Sequence, residues 1–446
     1  MSYIPKSMRI FDESMDNFNR NRFRLEGQGP ISGVKSGQVI TVSLPTNALL
    51  HLPSLRMYAD VSTTSVGAGA DQVFGKLPAD FSSLFSRLEV LIGGVAVDSG
   101  TPEFNTICRI LKIKESNTMR DNSVQKTTAH GQVSDADAVE DEKLCFQDWR
   151  GFIRDCATEY MPTEMTSTIT LRLTVAPNSV LLPKQVAVAI GTDFTTPGAI
   201  ANAQQVSFQL DNIYFTCDSV VPPASYNALL RERLQMEPIK INYKSYYTFD
   251  LASITAGAST NRFSLSSGSI DCVSAVYRDQ SYSTTGIKGA ILADAQNTDS
   301  FVANYFRFRS YNPAVGAKSM RYNAKINNIQ HPQYEADSLE ALVDVAYNAD
   351  KLRSWWGNLI TSRASFEDGL FQAGILLNCP SDLGVALKSG VDSSGMASVC
   401  AFQASGQVIP AAGADQADTG AINCLVMVET TQSLVVELGK MAVVEY

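Results

Sequence analysis

The chain of 446 residues has only three histidines, eight cysteines and few charges, and it carries no apolar run of membrane-spanning length. Each shortage excludes something. His51, His130 and His331 lie far apart with no partner at ligand spacing, so neither a catalytic histidine nor a histidine metal site is expected. No GxSxG, HExxH, P-loop or GxGxxG pattern occurs. The cysteines (108, 145, 156, 217, 272, 379, 400 and 424) form no CxxC pair, and Cys217, Cys272 and Cys424 sit inside apolar strand patterns. They read as reduced, buried thiols, with no disulfide and no zinc site. The acidic residues Asp135, Asp137, Glu140, Asp141 and Glu142 lack the spacing and the glycine of a calcium loop and read as a solvated loop. No metal and no cofactor is expected. Without about 18 consecutive apolar residues there is no spanning helix. The start, MSYIPKSMRIF, lacks the apolar core of a signal peptide, so synthesis in the cytosol is the expectation.

Charge is scarce as well as acidic. Charged residues make up 18% against 45% hydrophobic, below the usual quarter or so. A large surface with few charges suggests contact with other protein. The net charge of −9 disfavours a phosphate backbone as partner, and no sequence-specific nucleic-acid binding is expected. One basic cluster stands out: Arg20, Arg22 and Arg24, with Lys6 and Arg9 upstream and Phe11, Phe18 and Phe23 interleaved. Aromatic anchors with cations suit an acidic protein neighbour or an anionic lipid surface. A genome-packing arm would carry a longer run of like charge.

What is present is strand after strand. Length predicts two or three domains. QVITVSL (38–44), LRMYADV (55–61) and TSTITLRLTVAP (166–177) alternate, with PTNALLHLP read as a break because of Pro45 and Pro53. LEVLI and VAV flank Gly93-Gly94, a hairpin signal. Helical spacing appears at 103–119, at 224–237 (Tyr226, Leu229, Leu230 and Leu234 on one face) and at 336–358, where Ser338 is the candidate cap and Trp355-Trp356 an anchor. Residues 120–160 read as a long polar loop, and 321–334 as an extended segment ending in a turn at Pro332. Similar apolar segments recur: LFSRLEVLIGGVAV (84–97) with FSLSSGSIDCVSAVYR (263–278), and VSFQLDNIYFTCDSVV (206–221) with INCLVMVETTQSLVVELGKMAVVEY (422–446). Tyr243 and Tyr247 share one strand face and Tyr246 the other. Tyr305, Phe306, Phe308 and Tyr311 interleave with Arg307 and Arg309, a mix that fits a strand with one core face, or less well a stacking platform for single-stranded nucleic acid. The pattern predicts an all-β protein with a few short helices in loops: an arm (1–30), a first unit (31–223), a linker helix (224–237) and a second unit (238–446). Loops near 62–80, 112–165, 185–203, 280–300 and 381–420 carry turn and surface chemistry.

Four stretches, in order and spacing, resemble the double-jelly-roll major capsid proteins of tailless icosahedral DNA viruses, including phages, virophages and polinton-like viruses. They are SRLEVLIGGVAVDSGTPEFNTI (86–107), FQLDNIYFTCDSVVPPASYNALL (208–230), Ile241–Tyr247 with RFSLSSGSIDCVSAVYR, and YNAKINNIQHPQYEADSLEAL (322–342). Together they cover about a quarter of the chain. The resemblance implies two consecutive eight-stranded antiparallel jelly-roll β-sandwiches, three chains forming a pseudo-hexameric capsomer, and a place in the virion shell. Expected partners are further copies, neighbouring capsomers, penton and minor capsid proteins, and an internal membrane. Arg9, Phe11, Phe18, Arg20, Arg22, Phe23 and Arg24 are then the candidate interior and assembly contacts. No enzymatic activity is expected. Two other readings stay open: a single-jelly-roll capsid protein with a projecting domain, and a β-sandwich carbohydrate-binding or spike protein.

Overall fold

Alternation builds the first sheet. In strand β4 (Leu49–Thr63) the side chains of Leu50, Leu52, Leu55, Met57, Ala59 and Val61 are buried, while most of those between them are partly exposed. Strand β13 (Phe208–Val221) repeats the pattern with Phe208, Leu210, Ile213, Phe215 and Cys217 and pairs antiparallel with β4. A strand with one apolar face must cover it. The cover is a second sheet made of β3 (Val39–Ser43), β11 (Ile169–Val175), β7 (Phe85–Ile92) and β8 (Val95–Asp98), in that order. The first sheet runs β1 (Asn19–Glu26), β13, β4, β10 (Tyr160–Pro162), with β2 (Val34–Lys35) beside β13 and β9 (Glu142–Phe146) beside β4. A small flanking sheet holds β5 (Ser65–Val66), β6 (Val73–Lys76) and β12 (Leu182–Gln185).

The second half repeats this plan. Strands β14 (Ile239–Ile254), β21 (Ile422–Glu437), β16 (Ile270–Asp279) and β19 (Ala373–Leu376) form one sheet, with β22 (Met441–Glu445) beside β21. The other runs β15 (Ala258–Ser264), β20 (Val399–Ser405), β17 (Arg321–Ile326), β18 (Ile329–Asp337). In each half the first strand lies beside the last long one (β1 beside β13, β14 beside β21), and the two sheets exchange strands in the same sequence. This is the jelly-roll order, met twice in one chain. Helices are short: α1 (Phe104–Ile113), α2 (Ala224–Met236) between the halves, α3 (Ala303–Phe306), α4 (Ser338–Tyr347) and α5 (Arg363–Gly369). This computed structural model describes residues 19–46, 48–67, 73–78, 80–98, 100, 102–113, 142–185, 206–221, 224–280, 303–313, 319–347, 363–378, 388–395, 399–411, 420–437 and 441–446.

Several expectations change. Residues 19–26, within the segment read as an arm, pair along β13 from Asn19↔Val221 to Glu26↔Tyr214. They hold in the first roll the place that β14 holds in the second, so the roll begins at β1. Pro53 does not break β4, because the β4–β13 register shifts between Thr216 and Asp218 and the extra residues 52–55 bulge there; a proline inside a bulge leaves no ladder bond unmade. The polar stretch 120–160 contains β9 and ends where β10 begins. Residues 84–97 and 263–278 are not counterparts. The hairpin β7–β8 corresponds to β17–β18, whose turn is Asn327-Asn328 rather than Pro332; Gly93-Gly94 and Asn327-Asn328 all have positive φ, as the hairpin turn of this type needs. Pro332 lies in β18, at the edge of its sheet, where a missing N–H is tolerated. Helix α4 is capped by Asp337, not Ser338: its Oδ1 accepts from Leu339 N and Glu340 N, and Glu340 Oε2 accepts from Asp337 N, a closed capping box. On α2, Leu234 is buried but Leu229 faces solvent, so the four-residue face does not hold. Trp355-Trp356 lie outside the described residues.

The rolls share a seam. The β14 edge is joined to the first roll by Ala157 N donating to Asn242 O (2.8 Å) and Lys244 N to Asp155 O (3.1 Å). Tyr243 and Ile241 belong to the first roll's core, while Ile107, Ile110 and Ile113 of α1 enter the second.

Candidate assembly surfaces

Of the candidate contact residues, Arg9, Phe11 and Phe18 lie outside the described residues. The other four lie on β1, and strand alternation separates them. Arg20, Arg22 and Arg24 point outward, while Phe23 is half-buried on the opposite face. Arg20 Nη2 lies 2.5 Å from Asp218 Oδ2, and Arg22 Nε 2.6 Å from Asp218 Oδ1. Asp218 is 6% exposed, its arginine partners 70% and 63%. The hydrogen bond from Arg22, against the opposing effect of desolvation, and that from Arg20 hold the Asp218 carboxyl well below the usual range. The Arg24 guanidinium stands 4.2 Å over the Tyr214 ring, which stacks on Tyr58. The three cations therefore form a cationic rib on the outer face of the first sheet, in which Arg20 and Arg22 share one carboxylate.

The seam carries the charges that sequence reasoning missed. Arg278, on β16, pairs with Glu103 ahead of α1 at 3.1 Å. Tyr305 donates its hydroxyl to Glu103 (2.7 Å) while its ring lies under the Arg278 guanidinium. Burial would raise the Glu103 pKa, but the Arg278 charge and the hydrogen bonds from Arg278, Thr106 and Tyr305 together lower it. Nearby, Asp98 and Asp155 are both buried. Asp98 is pushed up to about 7, mainly by burial, with backbone N–H groups of Gly100 and Phe152 opposing and Asp155 adding. Asp155 accepts from Gly151 N (3.0 Å) and from the Tyr246 hydroxyl (3.1 Å). Inside the first roll, Lys112 is 5% exposed and bound between Asp80 (3.1 Å) and Asp148 (3.2 Å), with Arg150 2.8 Å from Asp148. Burial would lower the Lys112 pKa, but the two carboxylates raise it. Two cations, Arg109 and Lys112, in a helix with an apolar stripe, followed later by the alternating Asp148-Trp149-Arg150, were the available signal.

The remaining chemistry is sparse. Tyr305, Phe306, Phe308 and Tyr311 are all buried, so they form no stacking platform. His51 lies in the first roll and His331 in the second; His130 and most of the acidic run lie outside the described residues. Among the described residues no group of three His, Cys, Asp or Glu side chains could hold a metal ion, no helix is long and apolar enough to cross a membrane, and no two cysteines form a disulfide. A shallow polar pocket of about 300 Å³ lies over the outer face of the β15–β20–β17–β18 sheet, lined by Thr260, Arg321, Asn323, Glu335 and Gln403. It lacks the apolar walls of a ligand cleft.

No protein-family model matches the sequence, and no curated protein matches it. Solved structures do. VP54 of PBCV-1, as fitted into a reconstruction of the virophage Sputnik, superposes with a TM-score of 0.60 over 99% of both chains at 11% identity. The quasi-atomic PBCV-1 virus capsid gives 0.55 over 99% of both chains at 12% identity. The Faustovirus major capsid protein gives 0.54 over 98% of this chain and 93% of its own at 9% identity. The chain has the double-jelly-roll fold of these major capsid proteins.

Proposed function

We propose that this chain is a major capsid protein, a structural subunit that trimerises into pseudo-hexameric capsomers and tiles an icosahedral virus shell. The observation that carries the reading is the repeated roll. Two units of identical strand order give one chain two of six similar edges, and likeness to VP54 runs through essentially the whole of both chains. A single roll with a projecting domain does not account for the second pair of facing sheets. A carbohydrate-binding sandwich would present aromatic platforms, and the aromatics of residues 305–311 are in the core. The low charge content fits a surface largely covered by other copies. The role is structural rather than catalytic, and its place is the virion after synthesis in the host cytoplasm. Penton and minor capsid proteins or an internal membrane are the partners proposed for the segment ahead of β1.

Sedimentation and electron microscopy of the purified chain test this. Uniform trimers, or shells, are the expected result. A protein that remains a 48.3 kDa monomer at micromolar concentration contradicts it.

A further inference from the structure

The chain makes one contact internally whose two halves are both repeated, uncovered, elsewhere on its surface. On the donor side, β21 and β13 hold the same place in their rolls. β21 is buried almost along its whole length, because the first roll covers its outer face near Leu434 and Val436. β13 alternates, and its outer face, with β1, is left with Tyr214, Thr216 and the cationic rib. The β14 edge is bonded to residues 155–157, whereas the outer edge of β1 has no backbone partner among the described residues.

On the receiving side, α1 follows β8 and α4 follows β18, each at the end of its sheet. The apolar stripe of α1 that leaves its own roll (Ile107, Ile110, Ile113) is buried in the other roll. The stripe on α4 is bare: Leu339 is 46% and Val343 43% exposed. Beside it stand Glu340 and Asp344, one helical turn apart, a like-charge pair that destabilises an isolated helix. Among the described residues no ion pair reaches either of them.

We infer that the outer face of β1 and β13 of one copy docks on the α4–β18 side of a second copy, repeating between chains the seam formed within each chain. Arg20 and Arg24 meet Glu340 and Asp344, and Leu339 and Val343 are covered. The contact is heterologous, so it closes a ring when the rotation permits. This rests on the trimeric reading above and specifies its interface.

The test uses the full chain, sedimented over a concentration series. Glu340→Lys with Asp344→Lys should weaken association by at least about tenfold, as should Arg20→Glu with Arg24→Glu, which leaves Arg22 on Asp218. All four substitutions together should recover most of the loss. A second variant separates interface from folding. Glu340→Gln with Asp344→Asn keeps the capping box and removes the repulsion within α4, so thermal unfolding of the monomer should not fall, yet association should weaken about threefold or more. A trimeric parent whose charge variants associate normally, or whose fourfold variant shows no recovery, overturns this contact alone. A monomeric parent overturns the trimer as well.

Discussion

Asp98 is a carboxylate with no cation of its own, held in the seam by two backbone N–H groups. Its folded pKa of about 7 stands above the 3.8 of the free group, so the folded chain keeps a proton that the unfolded chain releases. The stability this gives is complete below about pH 4 and is lost as pH rises through about 7, with a total on the order of several kcal/mol. The melting temperature should therefore fall between pH 5 and pH 8, and Asp98→Asn should flatten that slope. An unchanged slope in the variant would place the titration elsewhere. Gly151 sits against the same carboxylate. Its φ is +75°, and a Cβ there would meet Asp98 Oδ2 at 2.0 Å. Gly151→Ala should cost about 2 kcal/mol or more in denaturant unfolding, since it combines backbone strain with a clash. Neither residue was legible as special in the sequence. An aspartate at a strand end and a glycine after arginine are ordinary turn chemistry until the second roll buries them.

Strand β1 shows how an element can be hidden by its composition. NRNRFRLE (19–26) carries three arginines and reads as a solvated arm. Only Phe23 and Leu25 of its described side chains are partly buried, and its outward arginines are satisfied by Asp218 and Tyr214, which come from β13, some 190 residues later. A truncation series checks the assignment. Removing residues 2–18 should leave the unfolding midpoint unchanged, whereas removing residues 2–26 should lower it and promote aggregation, because the β13 edge is then bare. Equal behaviour of the two truncations would show that β1 adds nothing to the first roll. Strands with clean alternation, such as β11 and β13, and the Gly93-Gly94 turn are legible because local chemistry and tertiary role agree. The pairing of 84–97 with 263–278 is misleading for the opposite reason. Any two apolar segments of similar length look alike, and which strand is which depends on its partners across the sheet.

At the scale of the whole molecule, Glu103 and Arg278 tie the rolls together. Arg278 is 3% exposed, so removing its partner leaves a buried charge unpaired. Glu103→Ala should destabilise by about 3 kcal/mol, while Glu103→Leu with Arg278→Met should cost clearly less, because replacing both charges removes the desolvation penalty along with the attraction. Denaturant unfolding of the two variants decides it: equal losses would mean that packing rather than charge holds the seam. A seam of this kind also explains why β21 is almost continuously buried. INCLVMVETTQSLVVE is buried on two faces, by its own roll and by the neighbouring one.

The all-β class and the duplication follow from the sequence alone, because period, turn residues and spacing are properties of neighbouring residues. The start of the first roll, the identity of equivalent strands and the buried charge networks were decided only by the tertiary structure. They depend on residues distant in sequence, such as Lys112 with Asp80 and Asp148, Glu103 with Arg278 and Arg22 with Asp218, and no local pattern records which distant partner will neutralise a charge or cover a face.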